Sequence, residues 1–382
     1  MPLCDAPDDV LACVLAMAAR RPNKYHADFG QYLPLLAVCR QWRRLALPAV
    51  YSVVFYMHNS WPLDDTGNID LQGTAAAKCP RIQTNLDLVA SAGCANIVKE
   101  VYLNVNYVDA PLPGLAVAVS RLMGVAVRWS RVNQLRILAC GPGRGSAKED
   151  AVQAVASGLI AVLPGVCRFE LDDYQGSAIV DGVAARLTAG YANQLRMYNG
   201  YPTPLPPGCK FERLERAVVT YRRGGEFRSQ SLRTSHLRHL ELNSLPLSYS
   251  WGVYVRDGSC PDIVFPELTS LKVSYDAPAV GHSPSSLPRL HFPRLCSATV
   301  RCPAAVCPLL QQAVLPVQLA KLEISAPAPL FKSLERMVIP AVQQMFVRVG
   351  ITGHDPGLAV FVHSFFTRAQ QAGVGDLHVS SY

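Results

Sequence analysis

One short pattern, x-L-x-x-L-x-[LIV], returns along the chain, and its copies set what the rest can do. The clearest are His236–Leu242, Glu267–Val273 and Gln318–Ile324. Strand-like pieces of the same kind stand at Val101–Val105, Gln134–Leu138, Arg168–Leu171, Gln194–Met197, Ala217–Thr220, Leu237–Leu242, Leu268–Val273, Leu295–Val300, Leu319–Ile324, Phe346–Val349 and Leu377–Val379. Two of them follow a Phe-Pro step, at Phe265-Pro266 and Phe292-Pro293. Their separations scatter between roughly 20 and 34 residues, and such pieces bury their apolar side only against the copies before and after them.

The segments between the strands differ in kind. Ala147–Leu163 and Ser177–Leu195 have apolar residues three and four apart (Val152, Val155, Leu159, Ile160, Leu163; Ile179, Val183, Leu187) and read as helices. Pro202–Pro207 and Ser244–Asp262 carry turn chemistry and read as extended connectors. Residues 356–373 form an amphipathic helix placed to cap the series. The expected fold is therefore α/β: an irregular leucine-rich-repeat-like solenoid over residues 51–382. An open α/β sheet is the alternative, because short L-x-x-L-x-L pieces also arise by chance in Leu-rich sequence. About eleven copies in series are hard to reconcile with a doubly wound sheet.

Composition narrows the class. At 382 residues the chain exceeds what one core holds, and 50% hydrophobic with 17% charged residues excludes disorder as the dominant state. Asp5, Asp8 and Asp9 stand where the apolar part of a signal peptide would begin, and Leu112–Trp129 is interrupted by Pro113, Arg121 and Arg128. The 12 cysteines include no C-x-x-C pair, which fits reduced thiols rather than a disulfide framework or a zinc site. A cytoplasmic or nuclear chain with no membrane partner is expected.

No enzyme signature emerges, and neither a cofactor nor a metal is expected. Cys140–Lys148 (CGPGRGSAK) sits between a strand and a helix, but Ser146 stands where G-x-G-x-x-G needs its last glycine, and Ser146 and Ala147 where the P-loop needs Gly-Lys. His236 and His239 lack further ligands nearby, and Asp172-Asp173 lacks a nucleophile and base. The net charge of +8 is concentrated locally: Lys210, Arg213, Arg216, Arg222, Arg223, Arg228, Arg233 and Arg238 face only Glu212, Glu215 and Glu226 between Leu205 and Leu240. Phe211, Tyr221 and Phe227 are interleaved there. Arg213, Arg216, Arg222, Arg223, Arg228 and Arg233 make a candidate ligand-binding patch, weighted toward a solvated edge or an acidic protein over nucleic acid.

The first fifty residues carry a different signal. Asp5-Ala6-Pro7-Asp8-Asp9 has a capping residue, a first-turn proline and carboxylates at the positive end of the dipole, so a helix is expected from about Pro7 to Ala19 with Val10, Leu11, Val14 and Leu15 at helical spacing. A second helix is expected from about Leu33, with Leu35, Leu36, Cys39 and Trp42 on one side and Val38 and Leu45 on another, ended by Pro48 and followed by a strand over Tyr51–Tyr56.

Pro7-Asp8-Asp9-Val10-Leu11 followed by Leu33–Ala46 (LPLLAVCRQWRRLA) resembles an F-box-like motif, which typically reads L-P-x-E-[IVL]-[LI] and later V-C-[RK]-x-W-[RK]-x-[LA]. The continuation Leu47–Tyr51 is similar to the variant found in fungal F-box-like proteins with degenerate leucine-rich repeats. Ala6 and Asp9 depart from the usual Leu and Glu, and Ala16–Tyr32 is longer than the usual connection. The resemblance implies a non-catalytic substrate-recognition subunit of an SCF-type cullin-RING ubiquitin ligase. Residues 1–50 would dock a Skp-family adaptor, and through it the cullin complex, while the repeats hold an unknown target protein. It further implies that Pro7, Val10, Leu11, Val14, Leu15, Leu35, Leu36, Val38, Cys39, Trp42 and Leu45 divide between the motif's own core and the adaptor groove.

Overall fold

The computed structural model describes residues 7–8, 11, 39–59, 81–106, 111–125, 129–140, 149–173, 178–200, 209–221, 236–245, 263–276, 289–302, 309–310, 313–316, 319–327, 339–350 and 356–381. The chain divides into two units, Met1–Leu187 and Thr188–Tyr382.

In the first unit, helix α1 (Arg40–Tyr51) leads into β1 (Val53–Asn59). Then come β2 (Arg81–Thr84), α2 (Leu86–Ser91), a single 3-10 turn at Ala95–Ile97, β3 (Glu100–Asn106), α3 (Pro111–Gly124), β4 (Gln134–Cys140), α4 (Glu149–Val162), β5 (Arg168–Asp173) and the start of α5 (Ala178–Tyr191). The sheet order is β5-β4-β3-β1-β2, parallel except for the antiparallel edge strand β2. The helices expected at 147–163 and 177–195 are present as α4 and α5. Close packing joins α3 to α4: a Cβ built on Gly158 would lie 2.6 Å from Val119 Cγ1, so only glycine lets these helices approach.

The second unit repeats the scheme with fewer helices. Its main sheet runs β6 (Met197–Gly200), β7 (Arg216–Thr220), β8 (His239–Leu245), β10 (Ser270–Tyr275), β12 (Ser297–Arg301), β14 (Lys321–Pro327), β15 (Gln344–Gly350), β16 (Asp376–Ser381) in spatial as in chain order, all parallel. A second small parallel sheet is made of β9 (Ile263–Val264), β11 (Leu290–His291) and β13 (Ala313–Val314). Helix α6 (Pro356–Gln371) packs on β16 through an apolar side that includes Phe361, Phe365 and Ala369. Apart from β2, which pairs on the far side of β1, the strands of each main sheet follow the chain in order, so the parallel strands of neither unit have the switch point of a doubly wound sheet.

The recurring pattern acts through three buried positions. Val98, Val101 and Leu103 are buried in one copy, Val132, Leu135 and Ile137 in the next, and Leu237, Leu240 and Leu242 or Leu268, Leu271 and Val273 further on. Tyr51, Val54 and Tyr56 occupy the same frame at the start. Several strands begin about two residues later than the apolar pattern suggests, since its first leucine lies in a turn. There, in most repeats, one carbonyl accepts two successive amides of the next: Ser52 from Lys99 and Glu100, Lys99 from Asn133 and Gln134, and Asn133 from Cys167 and Arg168. In the second unit Arg196, Glu215, Arg238, Thr269 and Cys296 play the same part. This ladder, with N···O distances of 2.7 to 3.1 Å, fixes the register before any strand pairing starts.

Two expectations for the N-terminal helix are corrected. It does not run through Cys39, whose backbone is extended (φ −159°, ψ 172°) and whose Sγ accepts the Trp42 N–H at 3.5 Å, making Cys39 the N-cap. Nor does it end at Pro48: the helix continues to Tyr51 and stops at Ser52. Pro48 removes one intrahelical donor without breaking the helix, because Tyr51 is buried in the first repeat frame and the Ser52 carbonyl is held by two amides. The helix expected over Pro7–Ala19 lies outside the described residues except at Pro7, Asp8 and Leu11.

Candidate functional site

The N-terminal motif is held together by one side chain. Asp8 lies in the first described turn of the chain, which the Leu11 amide closes by donating to the Pro7 carbonyl at 3.0 Å. Its carboxylate accepts from Gln41 Nε2 at 2.7 Å and forms an ion pair with Arg44, so Pro7–Leu11 is clasped to the first turn of α1. Both partners of the ion pair are exposed, so the clasp contributes orientation more than stability. Leu11 is fully buried, while Pro7 is exposed and Cys39, Trp42 and Leu45 are half-buried. The indole N–H of Trp42 is shielded from solvent and has no hydrogen-bond partner among the described residues. Helix α1 rests on the 3-10 turn Ala95–Ile97. Val10, Val14, Leu15, Leu35, Leu36 and Val38 lie outside the described residues.

The candidate basic patch is described only in part. Arg213 is exposed in the bend before β7, and Arg216 is exposed at its first position. Arg222, Arg223, Arg228 and Arg233 lie outside the described residues, as does Gly141–Ser146.

The strand faces opposite the buried pattern differ between units. In the first, Val53, Phe55, Tyr102 and Leu138 form an apolar cluster with Met57 against it. Beside it Arg136 is buried between Glu170 (3.5 Å) and Asp172 (3.3 Å), with its guanidinium 5.4 Å above the Tyr102 ring. Burial works to lower the Arg136 pKa, but the two carboxylates and the hydrogen bond to Asp172 overcome it and hold the group above its usual range. Asn85 covers the end of β1: its side chain donates to the Val53 carbonyl and accepts from the Phe55 amide, both at 2.9 Å.

In the second unit the corresponding face is open and polar. Three rows cross it. One runs Arg216, His239, Ser270, Ser297, Lys321, Gln344, Asp376; the next Val218, Glu241, Lys272, Thr299, Glu323, Phe346, His378. The third, nearest the strand ends, passes through Ser274, Arg301, Ser325, Arg348 and Ser380. The Phe346 and His378 rings stack at 4.9 Å, and Lys321 Nζ lies 5.0 Å from the Phe346 centroid. Apart from Arg216 and His239 these residues are not singled out by the sequence, although a signal exists: Ser274, Arg301, Ser325 and Ser380 each directly follow the last apolar residue of a repeat copy, and Arg348 stands inside one.

The described thiols are Cys39, Cys94, Cys167, Cys209, Cys296 and Cys302, and burial pushes those of Cys94 and Cys209 up, which keeps them protonated. His236 and His239 are both exposed. Among the described residues no group of His, Cys, Asp and Glu is placed to hold a metal ion, and no helix is long and apolar enough to cross a membrane.

Fold and surfaces together define a mixed α/β protein built on parallel sheet, with a helical motif leading into the first strand. No protein-family model matches the chain, and no curated protein matches its sequence.

Proposed function

We propose that this protein is a non-catalytic recognition subunit of an F-box-like kind, in which the N-terminal motif docks a Skp-family adaptor of a cullin-RING ubiquitin ligase and the repeats hold a target protein. The observation that carries this reading is the Asp8 clasp onto Gln41 and Arg44, which ties the Pro7–Asp8 segment to the Cys39-capped helix that carries the half-buried Trp42. A short helical turn locked to a Cys-Arg-x-Trp helix is the arrangement that the resemblance asks for. Parallel strands that follow the chain in order, most of them joined to the next by a shared backbone rung, support an irregular leucine-rich-repeat solenoid behind it. Leu11, being fully buried, falls on the side of the motif's own core, and Pro7, Trp42 and Leu45 on the side of the adaptor.

The test is co-purification of the full chain with a Skp-family adaptor. Wild type is expected to retain the adaptor. The Trp42→Ala variant and the Asp8→Ala/Arg44→Ala double variant are expected to lose it with unchanged circular dichroism. Leu11 is unsuitable for this purpose, since a polar replacement there reports folding. Equal retention by all three chains, or none by wild type, removes the reading.

A further inference from the structure

We infer that the open strand face of the second unit binds an acidic segment in polyproline II conformation, with Arg301 and Arg348 as its anion contacts and the Phe346–His378 stack as its apolar rest. This rests on the reading of the repeats as a target-holding surface and names the chemistry of the target.

The argument begins with charge along the three rows. Each carboxylate of the middle row has a cation already: Glu241 is paired with Lys272, and Glu323 lies 3.6 Å from Lys321. The third row contains no carboxylate. Arg301 is exposed and makes no ion pair among the described residues, and Arg348 is exposed with only a long 3.8 Å approach to Glu323. Arg216, exposed at the other edge of the same face, likewise makes no ion pair among the described residues, whereas the only other carboxylate in the rows is Asp376 at the far strand β16. The face therefore offers cations that have no close counter-ion of their own among the described residues, and an acidic partner supplies one.

Spacing selects the conformation of that partner. Arg301 and Arg348 belong to strands two steps apart in the sheet, with Ser325 between them in register. Two inter-strand steps of about 4.8 Å place their Cα atoms roughly 9.6 Å apart. A polyproline II segment advances ~3.1 Å per residue with three residues per turn, so carboxylates three residues apart recur on one side every ~9.3 Å. An extended β-strand instead repeats on one side every two residues, about 6.7 Å, and fits one arginine at a time. Hydroxyls of Ser274, Ser325 and Ser380 alternate with the arginines and can donate to the backbone carbonyls that a polyproline II chain leaves free. One row away, the stacked Phe346 and His378 rings, with Lys321 Nζ over Phe346, add apolar ring edges against which proline rings can pack.

Fluorescence anisotropy of the full chain with a labelled Glu-Pro-Pro repeat peptide tests this, with Lys-Pro-Pro and alternating Glu-Thr peptides and a uridine oligonucleotide as comparisons. The Glu-Pro-Pro peptide is expected to bind most tightly, to weaken about tenfold or more in R301E/R348E, and to weaken severalfold in Phe346→Ala. All three positions face solvent at least in part, so circular dichroism is expected to be unchanged. Absence of saturable binding, equal binding by R301E/R348E, or tighter binding of Glu-Thr or of the oligonucleotide overturns the inference. Adaptor co-purification is measured on the same R301E/R348E protein: its retention shows that only the target surface was altered, and its loss from wild type strikes the adaptor reading while leaving peptide binding to be judged alone.

Discussion

Two ion pairs in this chain look alike in sequence and differ in what they do. Arg44 and Asp8 meet in solvent, and losing that pair should cost well under ~1 kcal/mol. Arg136 is enclosed by Glu170 and Asp172 under the Tyr102 ring, and Arg136→Ala leaves two carboxylates without their cation on a largely buried face. A loss of about 3 kcal/mol in chemical denaturation is expected, several times that of Arg44→Ala measured alongside. His58 is a second buried polar residue, and desolvation holds its pKa below the usual imidazole range. Below the ordinary value near ~6.5 the unfolded chain takes up a proton that the folded chain refuses, so stability is present above that pH and falls as pH drops through it toward the lowered folded value. Urea midpoints followed from pH 7.5 down to 5.5 should decline in wild type and decline less in His58→Gln. Neither residue could be assigned a place from sequence. Arg136 and His58 are single polar letters in apolar runs, and only the register tells which face each takes and what stands across from it.

Elements were legible to the extent that a buried frame wrote them. The pattern x-L-x-x-L-x-[LIV] located the strands because its three apolar positions are the ones that face the core, and Val152, Val155 and Leu159 located α4 for the same reason. Strand β2 left no such trace, since it is four residues held at an edge by pairing with β1 and by the Asn85 side chain. The small sheet β9-β11-β13 was half visible: the Phe-Pro steps were seen, but not that Ile263-Val264 and Leu290-His291 just before them pair, with Phe265 and Phe292 stacked at 5.6 Å. Helix α1 departs from its sequence pattern at both ends, because a proline signals a stop that the structure does not make and Cys39 caps the helix instead of lying inside it. Pro48→Ala should therefore stabilise the chain. It restores an intrahelical amide, worth up to ~3 kcal/mol, against which the looser unfolded chain sets about 0.4–1 kcal/mol. A raised denaturation midpoint checks this, and an unchanged or lowered one shows that the helix depends on the proline.

At the scale of the units, stability should be graded along each ladder. Strand β12 is flanked on both sides and its Ala298 and Val300 are buried, whereas β16 has one neighbour among the described strands and its Leu377 and Val379 are only half-covered. Hydrogen exchange followed by mass spectrometry should find β16 amides opening faster than those of β12, and a uniform rate would mean that the second unit opens as one block. The α/β class and the serial arrangement were readable at this scale, since repetition survives the loss of any single copy. The division at residue 187 was not, because nothing in composition changes there.

The backbone rungs have one further consequence. The carbonyls of Ser52, Lys99, Asn133, Arg196, Glu215, Arg238, Thr269 and Cys296 each take two amides of the next repeat, and these residues share a solvent-facing position but neither charge nor size. A joint made by main chain alone places no demand on the letter that stands there. Lineages of such a protein are then free to rewrite most positions, lengthen a connector or drop a helix while each turn still clicks onto the last. Kinship in a chain of this kind is better sought by tracing where amides converge on carbonyls than by matching residues.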